Sequence, residues 1–228
     1  MSVRLSPADR YMFVAKTGRG KTLTSVVIAS VLVPPDSPVW ETWWVDTKHD
    51  PKDLDVLRQW GYSHDQGPRR LFSLYPEHPD DETSVYRQAQ RLFQAAIRRR
   101  FVLVVNDELG HVVKNKQNAG PGLEDILKRG RGLGVGCLNQ TQEAAYNPRV
   151  CFSQAAHLIF GYTDLPADIE RVREFCPHYP ADPENEFPDD FGFFWGWRDA
   201  PGSQNVWSYY RHQREWWEML TNPQTRSA

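Results

Sequence analysis

Eight consecutive residues, Ala15-Lys16-Thr17-Gly18-Arg19-Gly20-Lys21-Thr22, constrain this chain more than any other feature. A short apolar run, Tyr11 to Val14, precedes them, and a stretch of helical character, Lys21 to Val33, follows and stops at Pro34-Pro35. A strand, a glycine-rich turn and a helix opening on Lys-Thr match the pattern G-x-x-x-x-G-K-[ST], with alanine at the first position. The chemistry that needs such a turn is phosphate binding. Successive backbone N–H groups point inward, and the helix N-terminus adds positive potential. Lys16, Thr17, Gly18, Arg19, Gly20, Lys21 and Thr22 are therefore the expected nucleotide-binding residues. Lys21 would reach the β- and γ-phosphates and Thr22 would ligate Mg²⁺, so ATP and Mg²⁺ are the implied ligands. Ala15 has less backbone freedom than glycine, which predicts a slightly different start to the loop.

Periodicity extends the reading. Strands are expected at Val39 to Val45, Arg70 to Leu74, Phe101 to Val105, Leu133 to Leu138 and His157 to Tyr162. Between them lie helical patterns. One opens at Pro51 with Leu54, Leu57 and Trp60 on one side. Another spans Ser84 to Arg100 with Val85, Leu92, Ala95 and Ala96 on one face, and others cover Leu123 to Arg131 and Pro166 to Phe175. This alternation predicts an α/β fold of three layers with a mostly parallel central sheet, and with the phosphate-binding loop it is the expected fold of a P-loop NTPase. Residues 1–180 form its core. Residues 181–228 read as an aromatic antiparallel edge hairpin, Phe191 to Trp197 with Val206 to Tyr210, and a tail bearing Trp216 and Trp217, all packed on the same domain. Trp195, Trp197 and Trp207 suit core and edge packing, whereas Trp216 and Trp217 would dock on a partner or neighbouring subunit.

The continuous apolar run Phe101 to Val105, typical of a strand buried on both faces, ends in Asn106-Asp107-Glu108. This is where a Walker B element belongs. A hydrated metal needs a carboxylate, assigned to Asp107, and hydrolysis needs a base that orients water, assigned to Glu108. A third element is Lys128-Arg129-Gly130-Arg131, followed by a glycine-rich strand ending in Asn139-Gln140-Thr141-Gln142. Thr141 and Gln142 would stand beside the γ-phosphate, and an arginine at the preceding helix end would neutralise transition-state charge.

The segments AKTGRGKT, WWVDTKHD, FVLVVNDE and ILKRGRGLGVGCLNQTQ together, in this order, resemble the FtsK–HerA superfamily of DNA-pumping ATPases over roughly residues 10 to 175. The Asp46-Thr47-Lys48-His49-Asp50 stretch is similar to that family's D-x-K-[GH]-[DE] segment. The resemblance implies a P-loop NTPase core of the RecA-like, ASCE type, and a homo-oligomeric ring, pentameric or hexameric, that moves double-stranded DNA through a central channel. It also implies an arginine finger acting in trans, with Arg131 the first choice, Arg129 the second and Arg149 the third, and Gln142 as sensor. Among the branches, the chain resembles the compact viral genome-packaging ATPases, which implies packaging into a preformed capsid through a capsid vertex or portal protein. Filamentous-phage assembly or another DNA-transfer motor is the alternative within the same chemistry. A nucleotide-dependent switch without translocation is the alternative outside it.

Bulk composition argues for little and excludes some classes. A net charge of −2 means that nucleic-acid contacts need a local basic patch. The polar, basic segment Val113 to Gly122, after the Walker B strand, nominates Lys114 and Lys116 as DNA-binding residues, since in related packaging motors this segment faces the channel. The Arg98-Arg99-Arg100 run is the other basic cluster. Three separated cysteines show no metal spacing and fit a reducing compartment. The start of the chain is unlike a signal peptide, and the longest apolar stretch falls well short of the roughly 20 residues of a membrane span. The expected setting is the host cytoplasm, and also the packaging vertex of the virion.

Overall fold

The computed structural model describes residues 5–78, 81, 83–187, 192–197 and 205–210. The strands are β1 (Arg10–Val14), β2 (Glu41–Asp46), β3 (Arg69–Ser73), β4 (Val102–Asn106), β5 (Val135–Thr141), β6 (His157–Phe160), β7 (Phe193–Trp197) and β8 (Val206–Tyr210). The helices are α1 (Lys21–Leu32), α2 (Pro51–Gln59), α3 (Ser84–Arg99), α4 (Leu109–Val112), α5 (Pro121–Leu133), α6 (Arg149–Ser153), α7 (Pro166–Arg173) and α8 (Pro183–Glu186). All eight strands form one sheet in the order β3-β2-β4-β5-β1-β6-β7-β8. The first six run parallel, and β7 and β8 continue antiparallel at the β6 side.

The sheet is buried on both faces, and its side chains alternate accordingly. Met12 and Val14 enter one core with Val102, Val104 and α5 residues Leu123, Ile126 and Leu127. Tyr11 and Phe13 enter the opposite core with Leu103, Val105 and α1 residues Val26 to Ala29. The chain therefore leaves β1 toward one face, but leaves β4 and β5 toward the other. In a parallel sheet such a switch opens a crevice at the carboxyl ends of the strands. Insertion of β5 between β1 and β4 completes the ASCE arrangement.

One expectation needs correction and one is extended, since Val85, Leu92, Ala95 and Ala96 all pack on one core as expected. The fifth strand begins at Val135, because Leu133 still belongs to α5. On α3 the buried line is Ala89, Phe93 and Ala96 with Gln90; Val85, Leu92 and Ala95 flank it, half-buried. The polar Gln90 obscures that line in the sequence. Its amide is satisfied internally: Nε2 donates to the carbonyls of Val112 (3.0 Å) and Ala119 (3.3 Å), and Oε1 accepts from the Gly122 N–H (2.8 Å). The short α4, α6 and α8 had no periodicity to announce them. Trp195 and Trp197 are buried, and Trp207 stacks on Phe160 at 5.7 Å. Trp216 and Trp217 lie outside the described residues. Among the described residues no helix is long and apolar enough to cross a membrane.

Candidate active site

Parallel strands deliver their carboxyl ends to one edge. That edge here carries the 15–22 loop after β1, the Asp46–His49 turn after β2, Asp107 and Glu108 after β4, Gln142 after β5, and Gly161 to Asp164 after β6.

The loop from Ala15 to Thr22 is built for a polyanion. Gly18 (φ 77) and Gly20 (φ 73) take left-handed conformations that other residues adopt only under strain. Gly18, Arg19 and Gly20 donate no backbone hydrogen bond to another described residue, and the first-turn N–H groups of α1 are free for a ligand. Lys21 folds back over the loop, with Nζ donating to the carbonyls of Ala15 (2.5 Å) and Lys16 (3.1 Å). Burial, helped by the Lys48 charge and opposed by Glu108 and Asp107, pushes its pKa down to about 8. Thr22 stands half-buried in the first turn of α1.

Alanine at position 15 disturbs the loop less than its residue type suggests. Its φ is not positive, its N–H donates to the Thr141 carbonyl (3.2 Å), and its methyl packs against the α-carbon of Gly161. A Cβ at Gly161 would lie 2.9 Å from the Ala15 methyl.

The flanks of the loop are tied to neighbouring strands. Lys16 forms an ion pair with Asp164, the Thr17 hydroxyl donates to Gln142 Oε1, and the Arg19 guanidinium lies 4.4 Å from the Tyr162 ring centroid. Gln142 thus sits directly beside the loop.

Asp107 and Glu108 occupy the crevice on the other side of β5. Asp107 is 2% exposed, and its Oδ1 has no hydrogen-bond partner among the described residues. Burial pushes its carboxyl up to about 7; Lys48 opposes the shift, while Asp53, Asp46 and Glu108 add to it. An orphaned buried carboxylate oxygen among acidic neighbours fits a hydrated divalent cation, whose charge would reverse that shift. Asp107 and the Thr22 hydroxyl are the oxygen donors that would hold Mg²⁺. Glu108 Oε1 accepts from the Thr141 hydroxyl (2.8 Å), which accepts in turn from Asn147 Nδ2 (2.8 Å). Lys48 Nζ lies 3.4 Å from Glu108 Oε2 and 3.7 Å from Asp107 Oδ2, and donates to the Asp107 carbonyl at 3.2 Å.

Glu108 opens into a cleft of about 470 Å³ lined also by Lys48, His111, Lys114, Gln142 and Tyr146. Lys114 and Lys116 project from an exposed turn closed by backbone hydrogen bonds between Asn115 and Asn118. Gln90 anchors both ends of that turn, and the Thr47 hydroxyl meets His111 Nδ1 at 2.9 Å.

The arginines stand elsewhere. Arg131 is exposed at the end of α5, 3.6 Å from Asp9, at the amino edge of β1. Arg129 pairs with Asp125 (2.8 Å) on the same helix. A strand of five residues, about 16 Å, separates that edge from the loop. Neither arginine reaches its own chain's loop. Arg149, at the start of α6, pairs with Glu174 (3.6 Å) and packs over Phe175.

The sequence assigned no role to Lys48, Asp53, Tyr162 or Asp164. The Asp46-Thr47-Lys48-His49-Asp50 segment was the available signal for Lys48. The others carry no motif.

The sheet order, the loop after β1 and the acidic pair after β4 define the class: the chain has the fold of a P-loop NTPase. Comparison with solved structures agrees. The genome packaging NTPase B204 from Sulfolobus turreted icosahedral virus 2, in complex with AMP, matches at a TM-score of 0.63 with 17% identity, over 91% of this chain and 99% of that one. Its complex with ATP-gammaS matches at 0.60 with 16% identity over the same shares. B204 described as the DNA-packaging ATPase from Sulfolobus turreted icosahedral virus matches at 0.63 with 15% identity, again over 91% and 99%. At these identities the likeness concerns the fold. No protein-family model and no curated protein sequence matches the chain.

Proposed function

We propose that this chain is an ATP-driven double-stranded DNA translocase that packages a viral genome into a preformed capsid, as a member of the FtsK–HerA superfamily. One observation carries the reading: Lys21, Asp107, Glu108, Thr141 and Gln142 converge on one crevice, and Lys114 lines the cleft into which Glu108 opens. The fold shared with B204 supports it.

The loop N–H groups and Lys21 bind the phosphates, and Thr22 and Asp107 would hold Mg²⁺, which would neutralise charge on the transferred phosphoryl group. Glu108 orients water and receives its proton. Gln142 reads the γ-phosphate through its contact with Thr17. Arg131, or failing it Arg129 or Arg149, completes the site of a neighbouring subunit in a pentameric or hexameric ring. Within one chain the first two lie a strand length from the loop, and only a trans role is geometrically open to them. The Thr47–His111 contact links the nucleotide edge to α4 and the turn carrying Lys114 and Lys116, which grip DNA phosphates without sequence preference. Residues 1–180 form the motor core and residues 181–228 extend it. The motor works in the host cytoplasm and at the packaging vertex, against a capsid or portal protein.

The test is ATP turnover with and without duplex DNA of unrelated sequences. Stimulation by any duplex, together with ring formation, supports the reading. Turnover indifferent to DNA in a monomer leaves a nucleotide-dependent switch.

A further inference from the structure

The turn after β2 is braced on several sides, and the chemistry above leaves its Lys48 unused. Asp46, 3% exposed, accepts at Oδ1 from the N–H groups of Lys48 (3.1 Å) and His49 (2.9 Å). Its Oδ2 accepts from the Ser73 hydroxyl (3.2 Å) and lies 3.1 Å from His49 Nδ1. His49 is held in the left-handed region (φ 57), its Nε2 lies 2.9 Å from the Leu74 carbonyl, and its ring stacks on Tyr75 at 3.8 Å. A non-glycine residue in that region is strained, and strain persists only where the surroundings over-determine it. The bracing sets the Lys48 side chain against Asp107 and Glu108.

Lys48 closes a compact charge cluster. Its ammonium lies within 4 Å of both Asp107 and Glu108 side chains, and Thr141 holds the other oxygen of Glu108. It is also near enough to Lys21 to disfavour that lysine's charge. Lys21 and Lys48 face Asp107 and Glu108, and Asp46 and Asp53 add negative charge around Asp107, so Lys48 is one of two cations set against a surplus of acids. A γ-phosphate adds negative charge on the side of Glu108 and Lys48.

We propose that Lys48 is a γ-phosphate-sensing positioning residue: it holds Glu108 with Thr141 until ATP binds, then shares its charge with the γ-phosphate and releases Glu108 toward the water. This rests on the nucleotide-binding part of the reading above, and not on DNA translocation. Without Lys48, the two carboxylates face the γ-phosphate with one compensating charge fewer, so ATP binding suffers and ADP binding largely does not.

The experiment is equilibrium binding of Mg·ADP and of a non-hydrolysable Mg·ATP analogue to the wild type, Lys48→Met and Lys48→Arg, with melting temperature recorded for each. Lys48→Met is expected to weaken the analogue about tenfold or more while shifting ADP by less than about threefold, as for one lost charge opposite a phosphate. Lys48→Arg should restore most of the discrimination, since the charge is kept. An unchanged ratio of analogue to ADP affinity in Lys48→Met overturns the proposal. So does an equal loss of both with a lowered melting temperature, which marks a merely structural lysine. If the wild type binds neither ligand, the nucleotide reading fails and the inference falls with it. If the wild type binds both and only the ratio is unmoved, the inference alone fails.

Discussion

Nucleotide affinity should fall steeply with pH above 8, and Lys21 is the cause. The residue is 6% exposed, and its pKa drops from 10.5 to about 8. Phosphates in the loop would favour the charged form, so binding above pH 8 requires the protein to take up a proton. At pH 9 about one free molecule in eleven already carries the charge, which weakens binding about tenfold relative to pH 7, or about 1.4 kcal/mol. The loss continues at nearly tenfold per unit, while the ligand's own phosphates stay fully ionised across the window. The folded-state pKa lies below the unfolded value. The unfolded chain therefore binds more protons between about 8 and 10.5, and the Lys21 contribution makes folding stability rise with pH there while nucleotide affinity falls. Opposite slopes separate this effect from alkaline unfolding. The assay is titration with a fluorescent nucleotide from pH 7 to 9.5, beside Lys21→Arg, which binds less well but keeps its charge throughout. A flat wild-type profile, or the same slope in Lys21→Arg, refutes the reasoning.

Glu108→Gln keeps the Thr141 contact and the volume but cannot accept a proton. ATP binding should survive and turnover should fall at least about a hundredfold; retained turnover removes Glu108 from the chemistry. Gly161→Ala forces a methyl to 2.9 Å from that of Ala15, an overpacking cost of about 1–3 kcal/mol, read as a lowered melting temperature with weakened nucleotide binding. Adding Ala15→Gly should recover much of the loss, and strict additivity in that double-mutant cycle rules out the contact as the cause. Lys114→Ala and Lys116→Ala should each weaken duplex binding regardless of sequence. Each should also reduce the slope of log affinity against log salt by about 0.9, and an unchanged slope excludes a phosphate contact.

The sequence determined the elements whose cause is local. The loop after β1 is specified by glycines at left-handed positions. The buried strand Val102–Asn106 is specified by an unbroken apolar run, and its acidic end by the two residues that follow. Backbone angles, helix starts and side-chain period are properties of neighbours along the chain, so Lys21, Asp107, Glu108 and Gln142 could be nominated before any coordinate. Where a local signal was blurred, the reading was incomplete. Gln90 hid the buried line of α3 because its amide is satisfied by carbonyls and N–H groups more than 20 residues away.

Tertiary structure alone decided what meets at the strand ends. Strand order follows from which hydrophobic faces pack together, and it set β5 between β1 and β4. That order brings Thr141 to Glu108 and Gly161 beside Ala15. It also places Arg131 at the opposite edge of the sheet from the loop. The charge balance at the site is likewise a matter of space. Lys48 lies about sixty residues before the acids it neutralises, and Coulomb energy depends on separation in ångströms and on burial, neither of which is written in the order of residues.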